Sequence, residues 1–352
     1  MNVTLPPPPV HPVRDLWSAW RARWKRRELL WRIIRARRAL TCLRDQTQAI
    51  RPGDLLAFAV IRDESLRLPG WLDHYRAMGV RHFLIVDHDS RDDSADLLTA
   101  APDVSLWRAQ GGYRASRFGM DWLGWLLARY GHGHWCLTVD ADELLVYPGW
   151  PDLPLPEVTA ALESVGRSAM GALMLDLFPK GPLDTPIAPG QGLLDHLCWF
   201  DAGPYQTQIQ RPRLNRWTQG GTRLRAFFAD QPQRGPTLNK LPLVRWNRRW
   251  VYVVSTHSML PRGLNAAYDG PGDPRLSGVL LHTKFLPDAP ANALREAARG
   301  EHFSEPEAFG PYYAAVAAAP DLWHPGAHRW SGDWRQLAEL GLMGKDDRLM
   351  RV

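Results

Sequence analysis

The sequence has few cysteines and no long apolar run, and both absences exclude classes of protein. Its three cysteines, Cys42, Cys136 and Cys198, are scattered and form no Cys-x-x-Cys pair. A disulfide framework and a cysteine-based zinc site are therefore not expected, and a reducing compartment is. No stretch approaches the roughly 20 apolar residues that a membrane-spanning helix needs. The N-terminus has no apolar signal core, so secretion is not expected.

The sequence also lacks the glycine-rich loops that bind phosphates through backbone N–H groups. Neither G-x-G-x-x-G after the first predicted strand nor G-x-x-x-x-G-K-[ST] anywhere is present. No lysine is predicted to lie where it could neutralise phosphates either. A nucleotide bound by this chain would therefore need a metal ion to compensate the charge of its phosphates.

Positive charge is concentrated near the N-terminus. Residues 14–51 contain twelve Lys or Arg and three acids, which leaves 31 of the 43 basic residues and 34 of the 37 acidic residues elsewhere. The net charge of +6 is thus a property of this segment and not of the body of the protein. A nucleic-acid-binding core is not expected.

Residues 14–44 predict one basic helix, because they have helical composition and no internal Gly or Pro. Four tryptophans fall on one side of it at helical spacing: Trp17, Trp20, Trp24 and Trp31. Two interpretations are open. The helix lies on an anionic membrane surface, or it packs on the body through its Trp face while its arginines reach solvent. The Pro-rich residues 1–13 predict an extended tail.

Apolar runs alternate with helical patterns over residues 55–147. Four strands are predicted at 55–61, 82–87, 104–107 and 135–139, with helices near 65–78, 94–100 and 117–130 between them. This alternation predicts an α/β fold with a right-handed, mostly parallel sheet and helices on both faces.

After residue 148 the pattern is looser. Further strands are predicted at 168–178, 250–255 and 278–285, and helices at 288–300 and 305–318. The intervening residues 179–240 are rich in Gly, Pro, Gln and Arg and predict long loops over the sheet, where acceptor specificity would lie.

Charged side chains follow three of the first four predicted strands. They are Arg62, Asp63 and Glu64 after the first, Asp87 at the end of the second, and Asp140, Asp142 and Glu143 after the fourth. Ligands of open α/β sheets bind beyond the carboxyl ends of the strands. We therefore expect these side chains to converge on one crevice.

The acids after the fourth strand are the densest of these clusters. Asp140, Asp142 and Glu143 lie between two apolar runs, where unpaired carboxylates are costly to desolvate. A divalent cation such as Mg²⁺ or Mn²⁺ would compensate them, since hard cations bind carboxylate oxygens. The alternative is an acidic turn that caps the next element.

Four segments resemble the family 2-type glycosyltransferases of the GT-A fold, in the bacterial branch with an LPxWLxHYRxxGV block. They are Ala59–Glu64, Leu68–Val80, Ile85–Ser90 and Trp135–Glu143, and the resemblance extends over residues 55–147. It implies a Rossmann-like GT-A sheet with a loop-rich acceptor region. It also implies transfer of a sugar from a nucleotide-sugar donor, with inversion at the anomeric carbon.

The resemblance also assigns roles to single residues. It implies that Arg62, Asp63, Glu64 and Asp87 hold the nucleoside, that Asp140 contacts ribose and metal, and that Asp142 binds Mn²⁺ or Mg²⁺. In metal-dependent members a His from a late strand often completes the metal site; His282 is favoured for that role, with His257 next. The chain departs from the family in having Asp63 where Asn is usual, and His88 and Asp89 within a block that usually reads Asp-Asn-x-Ser.

Inversion requires a general base near the acceptor hydroxyl. Four carboxylates are candidates, Asp176, Asp195, Asp201 and Asp230, and the sequence does not choose among them. Two further cations, Arg223 and Arg225, either meet the diphosphate or are solvated.

Four regions are expected: the basic arm at 1–50, a nucleotide-sugar-binding half at 51–150, an acceptor-binding and sheet-completing half at 151–300, and a C-terminal helix and tail at 301–352. The expected activity is sugar transfer to a glycan or lipid-linked acceptor in cell-surface polysaccharide synthesis. The expected location is the cytoplasm, with peripheral contact to anionic membrane through residues 14–44. The alternatives are a metal-dependent phosphotransferase or hydrolase, and a non-catalytic protein whose basic arm binds membrane or nucleic acid.

Overall fold

The computed structural model describes residues 3–4, 12–211, 213–299 and 309–346, and the side chains from residue 15 onwards within them. Most of the predicted tail at 1–13 lies outside these residues. The first part of the helix predicted at 305–318 and the end of the C-terminal tail also lie outside them.

Strands and helices alternate strictly between residues 55 and 138 and less regularly elsewhere. The strands are β1 (Val3–Thr4), β2 (Leu40–Arg44), β3 (Leu55–Ile61), β4 (Val80–Asp87), β5 (Val104–Ala109), β6 (Trp135–Thr138), β7 (Glu143–Val146), β8 (Ala169–Asp176), β9 (Trp199–Phe200), β10 (Tyr205–Gln210), β11 (Asn215–Gly220), β12 (Asn239–Arg245), β13 (Val251–Val254), β14 (Ser258–Leu260), β15 (Gly278–His282) and β16 (His328–Arg329). The helices are α1 (Pro12–Ala36), α2 (Leu68–Ala77), α3 (Ser94–Ala100), α4 (Met120–Tyr130), α5 (Leu155–Ser164), α6 (Leu193–His196), α7 (Gly221–Phe227), α8 (Ala289–Arg299), α9 (Gly310–Ala317) and α10 (Trp334–Glu339).

A nine-stranded sheet forms the centre of the fold, in the order β2-β5-β4-β3-β6-β12-β8-β15-β7. The strand pairings give β5, β4, β3, β6, β8 and β15 one direction, and β2, β12 and β7 the opposite one. The predicted α/β fold with a mostly parallel sheet is therefore confirmed.

Alternate residues of β3 pack on opposite faces of this sheet. Ala57, Ala59 and Ile61 belong to the hydrophobic core that includes the buried side chains of α2 and α5. Leu56 and Phe58 belong to a second core, which includes those of α4. All five are buried, so this strand reads as one continuous apolar run, as expected for a strand covered by helices on both sides.

The basic helix is shorter than predicted. One helix is expected over 14–44, but α1 ends at Ala36, and residues 40–44 form the edge strand β2, antiparallel to β5. Pairing with β2 satisfies backbone N–H and C=O groups of β5 that would otherwise be unpaired at the edge of the sheet. This pairing outweighs the helical composition of residues 40–44. No described helix is long and apolar enough to cross a membrane.

The loops expected at 179–240 contain regular structure, and this prediction is wrong in part. The strands β10 and β11 form an antiparallel hairpin, α7 follows at once, and β12 begins within this segment and becomes an internal strand of the sheet. The sequence hides β12 because Pro242 lacks an N–H group and is unusual in a central strand. A register shift between Lys240 and Leu243 accommodates the proline.

His74, on α2, should make the folded state sensitive to acid. Its Nε2 donates to the carbonyl oxygen of Leu145 at 2.9 Å, and burial lowers the pKa of the imidazole to about 4 although this bond opposes the shift. Below pH 6.5 the unfolded chain binds a proton that folded His74 excludes, so stability falls as the pH drops from 6.5 towards 4. Between pH 7 and pH 4.5 the free energy of unfolding of the parent should therefore fall by about 2 kcal/mol more than that of His74→Gln. Urea unfolding at the two pH values measures this. An equal fall in the parent and in the variant would contradict the lowered pKa of His74.

Candidate functional site

The charged residues lie where the parallel strands of the central sheet end, and we call this carboxyl end the charged edge of the sheet. The parallel strands β4, β8 and β15 end there with Asp87, Asp176 and His282. The opposite strand β7 starts there, and register pairs His282 with both Glu143 and Asp176. The three strands β8, β15 and β7 therefore bring an imidazole and two carboxylates together by backbone pairing alone.

A chain of buried polar side chains runs across this edge. Arg223 Nε donates to Asp176 Oδ2 at 2.8 Å, and Asp176 Oδ1 accepts from His282 Nδ1 at 2.6 Å. His282 Nε2 then lies 3.0 Å from Asp142 Oδ2. Of these four side chains only that of Asp142 is appreciably exposed, at 21%. The chain thus ends at a carboxylate that faces solvent.

The charges of this chain stabilise one another. Burial alone would raise the pKa of Asp176, but Arg223 and His282 lower it to about 2. Burial also opposes ionisation of Asp142, yet His282 and then Arg67 hold its pKa well below the usual range. The pKa of His282 is raised although burial lowers it, because Asp142 and Asp176 both favour the imidazolium. These pKa directions favour an imidazolium between two ionised carboxylates at the place where a cation could bind.

The geometry can accommodate a divalent cation. Asp142, Glu143 and His282 each offer one ligand atom, and these atoms lie within 4.8 Å of one another. Asp176 holds Nδ1 of His282 and leaves Nε2 directed at Asp142, which is the arrangement that typically orients a metal-binding histidine. Carboxylate oxygens are ligands of hard divalent cations, and imidazole is a common ligand of divalent transition metals. The expected residues Asp142 and His282 are thus brought together.

Asp140 has a different environment from Asp142. Its carboxylate is half exposed and accepts from Lys240 Nζ at 2.7 Å, and it lies outside the compact group of possible metal ligands. The same ammonium group also donates to Glu143, which is completely buried. Burial raises the pKa of Glu143 to about 7 even though the charge of Lys240 lowers it.

Lys240 lies beside these acids, although the sequence did not predict it there. It is buried at the start of β12, and its charge compensates two of the acids that follow β6. No spacing rule connects Lys240 to residues almost 100 positions earlier, so the sequence pattern did not place it at this site. The ammonium group of Lys240 is engaged by these two carboxylates.

Asp87 is the second polar centre of this edge. It is fully buried, and its Oδ1 accepts from the backbone N–H of Ser90 at 3.0 Å. Its Oδ2 has no hydrogen-bond partner among the described residues, and Arg108 Nε lies 3.7 Å away, beyond hydrogen-bond distance. A buried carboxylate oxygen without a donor is costly and can accept a bond from a ligand.

The segment after β3 connects these two centres. Asp63 has a φ of 53°, donates from its backbone N–H to Ser90 Oγ at 3.0 Å and accepts from the N–H of Arg91 at 2.7 Å. These bonds join the loops that follow β3 and β4. Arg62 lies 3.6 Å from the Asp63 carboxylate.

Glu64 lies on the side of Asp142. It accepts from the buried Arg67 at 2.7 Å, and Arg67 in turn donates to the carbonyl oxygen of Thr283, at 3.2 Å. Burial raises the pKa of Glu64 to about 7, with the charge of Arg67 opposing and that of Asp142 adding to the shift. The loop after β3 is thereby tied to the residue that follows His282.

The candidate bases occupy two kinds of position. Both carboxylate oxygens of Asp176 accept hydrogen bonds, and those of Asp201 accept from Arg225 at 2.9 Å and His324 at 2.7 Å. Asp195 and Asp230 are exposed. Asp288 was not expected. Its Oδ1 is buried without a partner among the described residues, and its charge acts on Glu64 and Arg67.

Groups of the protein itself pair with three other residues considered for the site, which are Arg223, Arg225 and His257. Arg223 is buried against Asp176, and Arg225 donates to Asp201 and to the carbonyl oxygen of Leu322. His257 Nδ1 donates to the carbonyl oxygen of Asn239 at 2.6 Å, and burial lowers its pKa to about 4. His257 does not belong to the group of possible metal ligands around Asp142.

Comparison with known proteins identifies no family for this chain. No protein-family model matches the sequence, and no curated protein matches it. Among solved structures, the chain is similar to one described as the crystal structure of 4-diphosphocytidyl-2C-methyl-D-erythritol synthase, with 17% identity and a TM-score of 0.25. The match covers 37% of this chain and 64% of that one, which is less than two thirds of its length. A likeness this distant carries no argument about activity.

Proposed function

We propose that this chain is a metal-dependent glycosyltransferase that moves a sugar from a nucleotide-sugar donor to a glycan or lipid-linked acceptor. The observation that carries the proposal is the presence of two polar centres at one edge of the sheet. One is Asp87, whose buried Oδ2 has no hydrogen-bond partner among the described residues, and the other is the Asp142–His282 pair. A nucleotide sugar has a nucleoside at one end and a charged diphosphate beside the sugar. The resemblance of residues 55–147 to family 2-type glycosyltransferases supports the same assignment.

The residues around Asp142 have distinct tasks in this proposal. Asp142 and His282 hold Mn²⁺ or Mg²⁺, with Glu143 nearest to them, and Asp176 keeps His282 in the required tautomer and orientation. When bound, the ion supplies charge that stabilises the leaving diphosphate. Asp140 is half exposed beside Lys240 and is free on its outer side to meet the ribose.

Asp176 is better suited to position His282 than to accept a proton from the acceptor. Both of its oxygens are engaged, and its pKa of about 2 makes it a weak base. Asp201 is similarly engaged by Arg225 and His324. Asp288 has a buried oxygen without a partner among the described residues and joins the candidates for the base.

The experiment that tests the function is a product assay on the purified full-length chain. Nucleoside diphosphate release from a panel of nucleotide sugars is measured with Mn²⁺, with Mg²⁺ and with chelator, with and without added glycan or glycolipid acceptors. Release that needs both metal and acceptor, with the sugar recovered on the acceptor, is the expected result. Turnover of simple phosphate esters without an acceptor would instead identify a phosphotransferase or hydrolase.

Asp87 provides a sharper test of the nucleoside end. Asp87→Ala should weaken nucleoside diphosphate binding by about 1–3 kcal/mol, because the ligand loses a buried hydrogen-bond acceptor. Calorimetry measures the dissociation constant, and a cooperative thermal melt verifies the fold. Asp96→Ala, at an exposed position on α3, is the matched control and should bind as the parent does. An unchanged dissociation constant for Asp87→Ala would remove this residue from the site.

A further inference from the structure

Helix α1 is fixed to the body by one of its faces. Leu29 and Ile33 are buried against Val251 and Leu260 in a separate hydrophobic cluster. Arg32 donates to the carboxylate of Asp121 on α4 through both Nε and Nη2, at 3.0 and 2.8 Å. These contacts define which side of the helix faces the protein.

The opposite side of α1 carries the tryptophans. At about 100° per residue, all four lie within roughly 60° of arc and nearly opposite Leu29 and Ile33. Their exposed fractions lie between 50% and 68%: Trp17, Trp20, Trp24 and Trp31. The interpretation that the helix packs on the body through its Trp face is therefore wrong. The face that packs is formed by smaller aliphatic side chains.

The tryptophans form one surface together with neighbouring cations. Trp17 stacks on Trp20 with ring centroids 4.9 Å apart, and Trp20 meets Trp24 edge-on at 6.0 Å. Arg27 lies over the ring of Trp24, 5.1 Å from its centroid. Trp20 and Trp24 also line a surface groove with Arg23, Arg26 and Arg27. Apolar rings and positive charge are thus interleaved on the outer side of α1.

We propose that this face of α1 docks the protein on the surface of an anionic lipid bilayer. Indole rings combine an apolar body with one N–H donor and are enriched at the headgroup level of membranes. Arginines next to them attract anionic headgroups. A basic amphipathic helix with Trp on its apolar face is the form that lies in a membrane interface. The acidic excess outside residues 14–51 makes a nucleic acid a poorer partner.

The C-terminal end of α1 lies near the edge of the sheet where the charged residues lie. The chain leaves α1 at that edge, because the carbonyl oxygen of Ala39 accepts from the N–H of Gln110, just after β5. Arg32 also donates to the carbonyl oxygen of Ala115 in the loop that follows. If the proposed function holds, a lipid-linked acceptor would be presented to this edge. The docking itself does not depend on that function.

Vesicle sedimentation with the full-length chain tests the proposal. Vesicles of phosphatidylcholine alone are compared with vesicles that contain about one third phosphatidylglycerol. We expect co-sedimentation with the anionic vesicles at low salt, release at high salt, and little binding to the neutral ones. Trp17→Ser/Trp20→Ser/Trp24→Ser should reduce binding at least about tenfold, and Arg23→Gln/Arg27→Gln should reduce it and weaken the salt dependence.

Two controls keep the result interpretable. The variant Arg248→Gln/Arg249→Gln removes two exposed charges from the turn between β12 and β13 and should bind as the parent does. All variants should melt as the parent does, because the substituted side chains are exposed. Equal binding by the triple-Trp variant, or no binding of the parent to anionic vesicles, would overturn the proposal. So would a Trp-dependent dimer in solution, or Trp-dependent binding to duplex DNA, without vesicle binding.

Discussion

Replacing Asp142 with Asn should abolish the part of nucleoside diphosphate binding that depends on a divalent cation. The substitution removes the carboxylate charge at the solvent-exposed end of the Arg223–Asp176–His282 chain and keeps the shape of the side chain. We expect metal affinity to fall by about 100-fold or more. Loss of a residue that only orients a metal ligand typically costs about 10–100-fold, and loss of a ligand should cost at least as much. Calorimetric titration of Mn²⁺ in the presence of a nucleoside diphosphate measures this.

Asp176→Asn is the graded companion to this substitution. Asp176 contacts His282 and Arg223 from within the protein, so its loss should weaken metal affinity by about 10–100-fold. Asp152→Asn, at an exposed position, should change nothing. If the parent binds nucleoside diphosphate equally well in excess chelator, the role proposed for Asp142 and His282 is wrong.

Lys240→Met should be among the most destabilising single substitutions in this sheet. The ammonium group is buried between Asp140 and the completely buried Glu143. Removing one partner of a buried ion pair leaves an uncompensated charge, which typically costs about 3–5 kcal/mol. Urea unfolding of the parent and the variant at pH 7 measures the difference in free energy of unfolding.

The double variant Lys240→Met/Glu143→Gln separates charge from packing. Replacing Glu143 with Gln removes the uncompensated charge, so the double variant should recover much of the stability lost in the single one. The pH dependence gives a second readout. In Lys240→Met the pKa of Glu143 should rise further above its unfolded value, so this variant should be most stable at acid pH and lose stability as the pH rises. A Lys240→Met protein as stable as the parent at pH 7 would contradict the account.

The sequence allowed accurate prediction where apolar pattern and chain position coincide. Strand β3 has the predicted bounds, because all seven residues from Leu55 to Ile61 are apolar and polar residues flank them. His282 and Asp142 were expected near one another, and their side chains are 3.0 Å apart. That expectation came from the family resemblance. The two residues meet because β7, which begins just after Asp142, pairs antiparallel with β15, which ends at His282.

The features that were missed depend on contacts between distant segments. Pro242 hides the central strand β12, and Lys240 therefore could not be assigned to the sheet edge. The orientation of α1 was open because Trp and aliphatic side chains lie on opposite faces. Contacts with distant residues, among them Val251, Leu260 and Asp121, determine which face packs. Both are tertiary choices that local composition does not encode.

Asp63 differs from the residue usual in the glycosyltransferases that residues 55–147 resemble, and the backbone explains this difference. Asn is usual at this position, and the residue in this chain has a φ of 53°. Asn and Asp are the residues that most readily adopt this left-handed conformation without being glycine. Its carboxylate accepts from the N–H of Arg91, a bond that the Asn side-chain oxygen could also form. The substitution therefore preserves the loop.

Anomalous diffraction from crystals soaked with Mn²⁺ and a nucleoside diphosphate locates the metal and the nucleotide together. We expect one manganese peak beside the Asp142 carboxylate and His282 Nε2, in contact with the diphosphate, with the nucleoside extending towards Asp87. Manganese bound elsewhere, or a nucleotide bound at this edge with no metal beside Asp142 and His282, would contradict this expectation.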